Sequence, residues 1–209
     1  MIGTLIIDDH DVVREGIRAI LLENGNFEIK DTAGSAEEAM QLIYANTYEL
    51  IILDLSLPGM SGLEFIKDIK NQQQKARVLV VSMHSEEEFA MRALKSGAHG
   101  YVHKRQVSED LVKAIDTVMQ DKYYVADHLT NQLISTLKGD SDVDPHNLLS
   151  DREYEIMLML SRGNEVKEIA NQLHLSEKTV GAHRRNILSK MGLKNVVELA
   201  VYSVKKNLI

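Results

Sequence analysis

Five polar residues stand where short apolar segments end: Asp8, Asp9, Asp54, Ser82 and Lys104. If those segments are parallel strands, their carboxyl ends meet at one edge of a sheet, and the five side chains can share a pocket. Three carboxylates repel one another unless a cation lies between them, and oxygen ligands suit Mg²⁺. With the metal and Lys104 neutralising phosphate charge, a carboxylate can attack phosphorus and form an aspartyl phosphate, while Ser82 donates a hydrogen bond to it.

Each acidic residue alone also has an ordinary structural interpretation. Asp8, Asp9 and Asp11 precede a helix and would serve as caps, and Asp54 precedes the Pro58-Gly59 turn. The spacing of all five positions favours the phosphate-handling pocket over this alternative.

The elements that position these residues follow from apolar periodicity. Strands are predicted at 4–7, 27–33, 50–53, 78–81 and 100–102, and helices near 12–21, 35–46, 62–71, 86–96 and 108–120. The run at 50–53 is apolar throughout, as in a strand buried on both faces. Alternating units with short connections predict an α/β doubly wound, five-stranded parallel sheet.

The second half of the chain has a different pattern. A helix over 126–138 and an acidic linker over 139–145 lead to four further helices near 151–162, 165–173, 176–191 and 195–206. A tight turn at His174-Leu175 joins the second and third of these, which predicts a small all-α helix-turn-helix domain. We therefore divide the chain into domains at 1–121 and 148–209, with 122–147 as the linker.

Charge is divided in the same way. The chain has a net charge of −7, but residues 147–209 contain 10 Lys and Arg against 7 Asp and Glu, for +3, and 1–146 carry −10. Residues 174–209 reach +5, with 7 basic and 2 acidic side chains. An acidic N-terminal part and a basic C-terminal part indicate two separate functions, and the basic part is the candidate for nucleic-acid binding.

The helix at 176–191 presents two distinct faces. An apolar stripe is opposed by Lys178, Gly181, Ala182, Arg185 and Ser189. The small pair at the centre allows close approach to DNA, and Arg185 can read guanine bidentately. Candidates for phosphate contacts are Lys178, Thr179, His183, Arg184, Lys190 and Lys194. The alternative is a solvated basic face on a structural helix.

Residues 1–121 resemble the receiver domain of response regulators, which is flavodoxin-like. The resemblance is carried by Asp8-Asp9, Leu53-Asp54, the segment 57–62 (LPGMSG), Ser82, Tyr101 and Lys104. It implies that Asp54 is the phosphoacceptor. Asp9 and Asp54 would ligate Mg²⁺, with Asp8 acting directly or through water and the Ser56 carbonyl as a further ligand. Ser82 and Tyr101 would form the switch pair beside Lys104. One departure is Arg105, where many receivers have a proline with a cis peptide.

Residues 148–209 are similar to the LuxR-type effector domain. The similarity rests on Leu149-Ser150-Asp151-Arg152-Glu153, Lys167-Glu168-Ile169-Ala170, Leu175-Ser176, Thr179-Val180, His183, Ile187 and Lys190-Met191. Gly181 departs from relatives that often carry lysine there. The last helix has more apolar surface than one face needs, and the resemblance suggests Val197, Val201 and Val204 as a dimer seam. The alternative is that both apolar stripes are buried internally.

Together the two resemblances imply a transcription regulator of the NarL/FixJ class. A sensor histidine kinase would phosphorylate Asp54, and an active homodimer would bind two DNA half-sites. We expect no enzymatic activity beyond phosphorylation and dephosphorylation of Asp54. A haloacid-dehalogenase-type phosphatase needs a second Asp where Ser56 stands, and a regulator controlled by partner binding without phosphate remains an alternative. The chain has no cysteine and no recognisable targeting or membrane segment, so we expect a cytoplasmic protein.

Overall fold

A computed structural model describes residues 1–58, 60–84, 86–126 and 144–209. The chain divides into two compact units, Met1–Leu137 and Lys138–Ile209. Most of the helix predicted over 126–138, and most of the acidic linker that follows it, lie outside the described residues. The proposed boundaries at 121 and 148 therefore stay a prediction.

The first unit alternates strands and helices. The strands are β1 (Ile2–Ile7), β2 (Phe27–Ala33), β3 (Leu50–Leu53), β4 (Arg77–Ser82) and β5 (Gly100–His103). The helices are α1 (Asp11–Glu23), α2 (Ala36–Ala45), α3 (Gly62–Gln72), α4 (Glu86–Ser96) and α5 (Val107–Val118), with a 3₁₀ turn over Lys104–Gln106. Observed element ends lie within about two residues of the predicted ones, the usual scatter of frayed termini.

All described strand pairs are parallel, in the order β2-β1-β3-β4-β5. The predicted doubly wound fold is thus confirmed. The order reverses beside β1, so the carboxyl ends of β1 and β3 lie next to each other, with Ile7 paired to Leu53. In open sheets of this kind, such a switch point forms the crevice where ligands bind.

The core explains why β3 is a continuous apolar run. Its four residues are buried, because helices cover both faces of the sheet. Ile17 of α1 and Leu111 of α5 pack into the same buried cluster. Each such side chain contributes about 1.5–3 kcal/mol when fully buried. This packing makes the sheet a rigid base for the polar residues at its edge.

The second unit is helical in its described part. A 3₁₀ turn (Pro145–Leu148) precedes α6 (Asp151–Ser161), α7 (Val166–Gln172), α8 (Glu177–Met191) and α9 (Val196–Lys205). Ser150 and Glu153 form a reciprocal capping box at the start of α6. Gly192 ends α8 with φ +66°, a left-handed conformation that glycine adopts without strain.

A search of the described helices for a segment able to cross a membrane finds none.

Candidate functional site

The predicted pocket begins with two carboxylates at the switch point. The Asp54 N–H donates to the Ile7 carbonyl at 2.8 Å, and the Asp8 N–H donates to the Ala33 carbonyl at 3.1 Å. These bonds extend the parallel pairing of the sheet to Asp8 and Asp54 and therefore position the Cα atoms of both residues. Asp8 and Asp54 are each only 1% exposed, so their charges are removed from water.

Lys104 reaches this buried pair from the 3₁₀ turn after β5. Its Nζ lies 2.7 Å from an oxygen of Asp8 and 2.7 Å from an oxygen of Asp54. The imidazole of His103 accepts a hydrogen bond from the Arg105 N–H and caps the turn. No peptide bond in the described residues is cis, including the one between Lys104 and Arg105.

The charges in the pocket act on one another. Burial raises the pKa of Asp54 above its ordinary value, and the Lys104 ammonium opposes that shift. Burial alone would lower the pKa of Lys104, but Asp54 and Asp8 outweigh it and raise that pKa. The attraction between the Lys104 ammonium and the two aspartate side chains therefore acts in a place that water screens poorly.

The pocket fits a divalent cation. Asp8, Asp9, His10 and Asp54 offer ligand atoms that all lie within 4.8 Å of one another. In this group three carboxylates face the single ammonium of Lys104, which leaves excess negative charge. Asp54 Oδ1 is buried without a hydrogen-bond partner. A buried anionic oxygen without a partner is costly, and a bound cation would remove that cost. His10 was not predicted, because a histidine after two aspartates has no distinguishing spacing.

The two predicted switch residues meet at one loop segment. Ser82 and Tyr101 are fully buried. Ser82 Oγ accepts from the His84 N–H at 3.3 Å, while the Tyr101 hydroxyl donates to the His84 carbonyl at 2.9 Å. Ser56 Oγ lies 3.3 Å from His84 Nε2. The backbone of His84 therefore joins the switch pair, a role that the sequence did not reveal.

Helix α8 has the two faces that its sequence predicts. Ser176 caps its start by accepting from the Thr179 N–H at 3.1 Å. The buried side is formed by Val180, Ile187 and Met191. The basic residues expected to contact DNA are exposed, namely Lys178, Arg184, Arg185, Lys190 and Lys194. Ala182 and Gly181 are half-buried among them, and a Cβ on Gly181 would meet only Arg185 Nη1 at 3.9 Å.

Two residues predicted to contact phosphate have other constraints within the second unit. Lys190 Nζ lies 2.6 Å from Glu153 Oε2, and Glu153 is buried. Burial alone would raise the pKa of Glu153, but the bonds from Lys190 and Ser150 outweigh it and lower that pKa. His183 is half-buried, and its Nδ1 is buried without a hydrogen-bond partner. Their contacts with DNA stay predictions, and Lys190 would have to leave Glu153 to make one.

Helix α9 carries the expected second apolar stripe on its outside. Val197, Val201 and Val204 are 73%, 49% and 59% exposed, whereas Leu199 is buried. Within the described second unit, this stripe is not covered. The dimer seam itself stays a prediction.

The acidic edge of the sheet and the basic helix of the second unit define a two-part regulator, with a receiving pocket in one unit and a nucleic-acid-binding element in the other. Residues 4–116 match the response regulator receiver domain, and residues 147–203 match the bacterial regulatory proteins of the luxR family. The chain belongs to the response regulators.

Full-length relatives agree with this assignment. The chain is 38% identical to the oxygen regulatory protein NreC of Staphylococcus epidermidis, covering 98% of each chain. It is 32% identical to the response regulator UvrY of Escherichia coli K12, covering 100% of this chain and 96% of that one. The fold is also similar to a solved structure of the response regulator RcsB of Salmonella typhimurium, from work on that protein's interaction with DNA. The two chains are 25% identical, the match covers 96% of this chain and 97% of that one, and the TM-score is 0.60.

Proposed function

We propose that Asp54 accepts a phosphoryl group with the help of Mg²⁺, and that this modification controls DNA binding by the second unit. The observation that carries the proposal is the contact of Lys104 with both Asp8 and Asp54 in a buried pocket where Asp54 Oδ1 has no partner. The unpaired oxygen is the atom available to attack phosphorus.

The residues of the pocket divide the work. Asp9, Asp54 and the Ser56 carbonyl would hold Mg²⁺, with Asp8 as a direct or water-mediated ligand. The bound metal supplies positive charge that offsets the phosphoryl oxygens. Lys104 neutralises further charge from the turn after β5, and its ammonium opposes the upward shift that burial gives the pKa of Asp54. Because Asp8 and Asp54 are buried at the floor of the pocket, their interactions are screened less than those of surface charges.

The switch follows from the bonds at His84. A phosphoryl group on Asp54 accepts a hydrogen bond from the Ser82 hydroxyl, which now accepts from the His84 N–H. Movement of that segment changes the carbonyl to which Tyr101 donates. The surface formed by α4 and β5 therefore has two arrangements, and phosphorylation biases one of them.

The second unit would read DNA with α8 in the major groove. Arg185 is the base-reading candidate, and the other exposed basic residues position the helix on phosphates. Val197, Val201 and Val204 would form the seam of an active homodimer on two half-sites. A sensor histidine kinase in the cytoplasm would supply the phosphoryl group, and we propose no activity on other substrates.

Acetyl phosphate with Mg²⁺ tests the pocket. The wild-type chain should become a phosphoprotein, and Asp54→Asn should not. Asp11→Asn is the matched control, because Asp11 lies at the start of α1 with an exposed side chain. Equal labelling of wild type and Asp54→Asn would refute the assignment. Continued release of phosphate from unrelated phosphate esters would instead indicate an enzyme.

A further inference from the structure

His10 occupies the N-cap position of α1 but does not act as a cap. Its side chain makes no capping hydrogen bond to the first turn. The imidazole instead turns to the carboxylates, with Nδ1 2.6 Å from Asp9 Oδ1 and 3.3 Å from Asp8 Oδ1. Its backbone N–H also donates to Asp8 Oδ1 at 2.9 Å. Both halves of the residue are thus directed at the pocket.

These separations suit ligands of one metal ion. Ligand atoms bound about 2.1 Å from a metal lie roughly 3.0–3.4 Å apart along the edges of an octahedron or tetrahedron. The 3.3 Å between His10 Nδ1 and the Asp8 oxygen lies in that range, whereas the 2.6 Å between Nδ1 and the Asp9 oxygen is a hydrogen-bond distance that would lengthen on binding of an ion. Asp8 and Asp54 form the closed floor, while the side chains of Asp9 and His10 are 33% and 64% exposed. The mouth of the pocket can therefore admit an ion and adjust around it.

We propose that His10 is a nitrogen ligand in this pocket, which thereby binds transition-metal cations of the zinc class as well as Mg²⁺. The proposal rests on the metal pocket of the proposed function and adds a ligand to it. Imidazole nitrogen suits Zn²⁺ and its neighbours, whereas Mg²⁺ takes oxygen ligands almost exclusively. Because Asp54 belongs to the same ligand set, a bound zinc-class ion competes with Mg²⁺ at the phosphoacceptor itself.

The competing interpretation is that His10 only holds Asp9 in place by a hydrogen bond. An orienting histidine would support every metal that Asp9 binds, so its loss would weaken Mg²⁺ and Zn²⁺ to a similar degree. A ligating histidine affects the two metals unequally. The selectivity between them, rather than the affinity for either, separates the two roles.

Calorimetric titration of the full-length chain with Zn²⁺ and separately with Mg²⁺ measures this selectivity. His10→Ala should lower Zn²⁺ affinity by about tenfold or more while changing Mg²⁺ affinity by less than about threefold. His174→Asn is the control for adventitious histidine binding, because His174 is exposed on the second unit and asparagine tolerates its left-handed φ of +52°. That variant should retain the wild-type affinities.

Nitrogen-15 NMR of the wild-type histidine rings gives a second readout that needs no variant. Zn²⁺ should shift the Nδ1 resonance of His10, and Mg²⁺ should leave it in place. The inference would be overturned if His10→Ala lowered the affinities for Zn²⁺ and Mg²⁺ to a similar degree. It would also be overturned if Zn²⁺ left the His10 Nδ1 resonance in place. If Asp54→Asn left both affinities unchanged, the metal pocket of the proposed function would fail as well, so the two failures are distinguishable.

Discussion

Replacing Lys104 with methionine removes the ammonium that lies 2.7 Å from both Asp8 and Asp54 and keeps most of the side-chain volume. Both carboxylates are about 1% exposed, so water cannot replace the lost partner. Breaking a buried ion pair from one side costs about 3–5 kcal/mol. That is a large share of the 5–15 kcal/mol that stabilises a typical domain, so we expect marked destabilisation in metal-free buffer.

The pH dependence of this loss has a defined sign. Without Lys104, burial raises the pKa of Asp54 with less opposition, so the folded-state value stands further above the unfolded one. The folded state then binds more protons, and stability falls as pH rises through the window between the two values. The loss is complete above that window and smallest below it. Mg²⁺ should stabilise the variant more than the wild type, because it supplies the missing positive charge.

Urea unfolding followed by circular dichroism, with EDTA or Mg²⁺, measures these effects. Lys75→Met serves as the control, because Lys75 is exposed and distant from the pocket in sequence. Adding Asp54→Asn to Lys104→Met should recover part of the stability by removing one uncompensated charge. A Lys104→Met protein as stable as the wild type in EDTA would refute the electrostatic reasoning.

Three further outcomes follow from the structure. Gly62→Ala places a Cβ 2.4 Å from the Cα of Leu55, so the free energy of unfolding should fall by about 3 kcal/mol in a urea titration. Gly16→Ala is the control, because a Cβ there meets nothing within 4 Å and should not destabilise the chain. Burial, with help from neighbouring cations, lowers the pKa of His99 from 6.5 to about 4, so stability should decline as pH falls through that window, and His99→Gln should remove the decline. Arg185→Ala should relax base preference in a binding selection, whereas Lys194→Ala should weaken all sequences alike and flatten the salt dependence; equal loss of selectivity would contradict this division.

Most of the pocket could be predicted from the polar residues that follow the strands. Asp8, Asp54 and Lys104 follow apolar runs, and parallel pairing then brings them to one edge whatever the details of packing. The apolar periodicity of α8 similarly separated its buried and basic faces. These inferences depend on local spacing, which a single sequence contains.

Contacts that depend on side-chain direction were not predictable. An N-cap residue normally bonds its own helix, so nothing in the sequence indicated that His10 turns to the carboxylates. Lys190 was assigned to DNA because it is basic, yet it pairs with Glu153, 37 positions earlier in the chain. The partner of Tyr101 is a backbone carbonyl, a group that every residue carries and no pattern marks.

The central claim is that Asp54 phosphorylation changes DNA affinity. DNA selected in vitro by the wild-type chain should be titrated by fluorescence anisotropy, with and without acetyl phosphate and Mg²⁺, against wild type and Asp54→Asn. We predict that acetyl phosphate tightens binding by the wild type and leaves Asp54→Asn unchanged. An identical response in the two proteins would show that the acidic pocket does not control the basic helix.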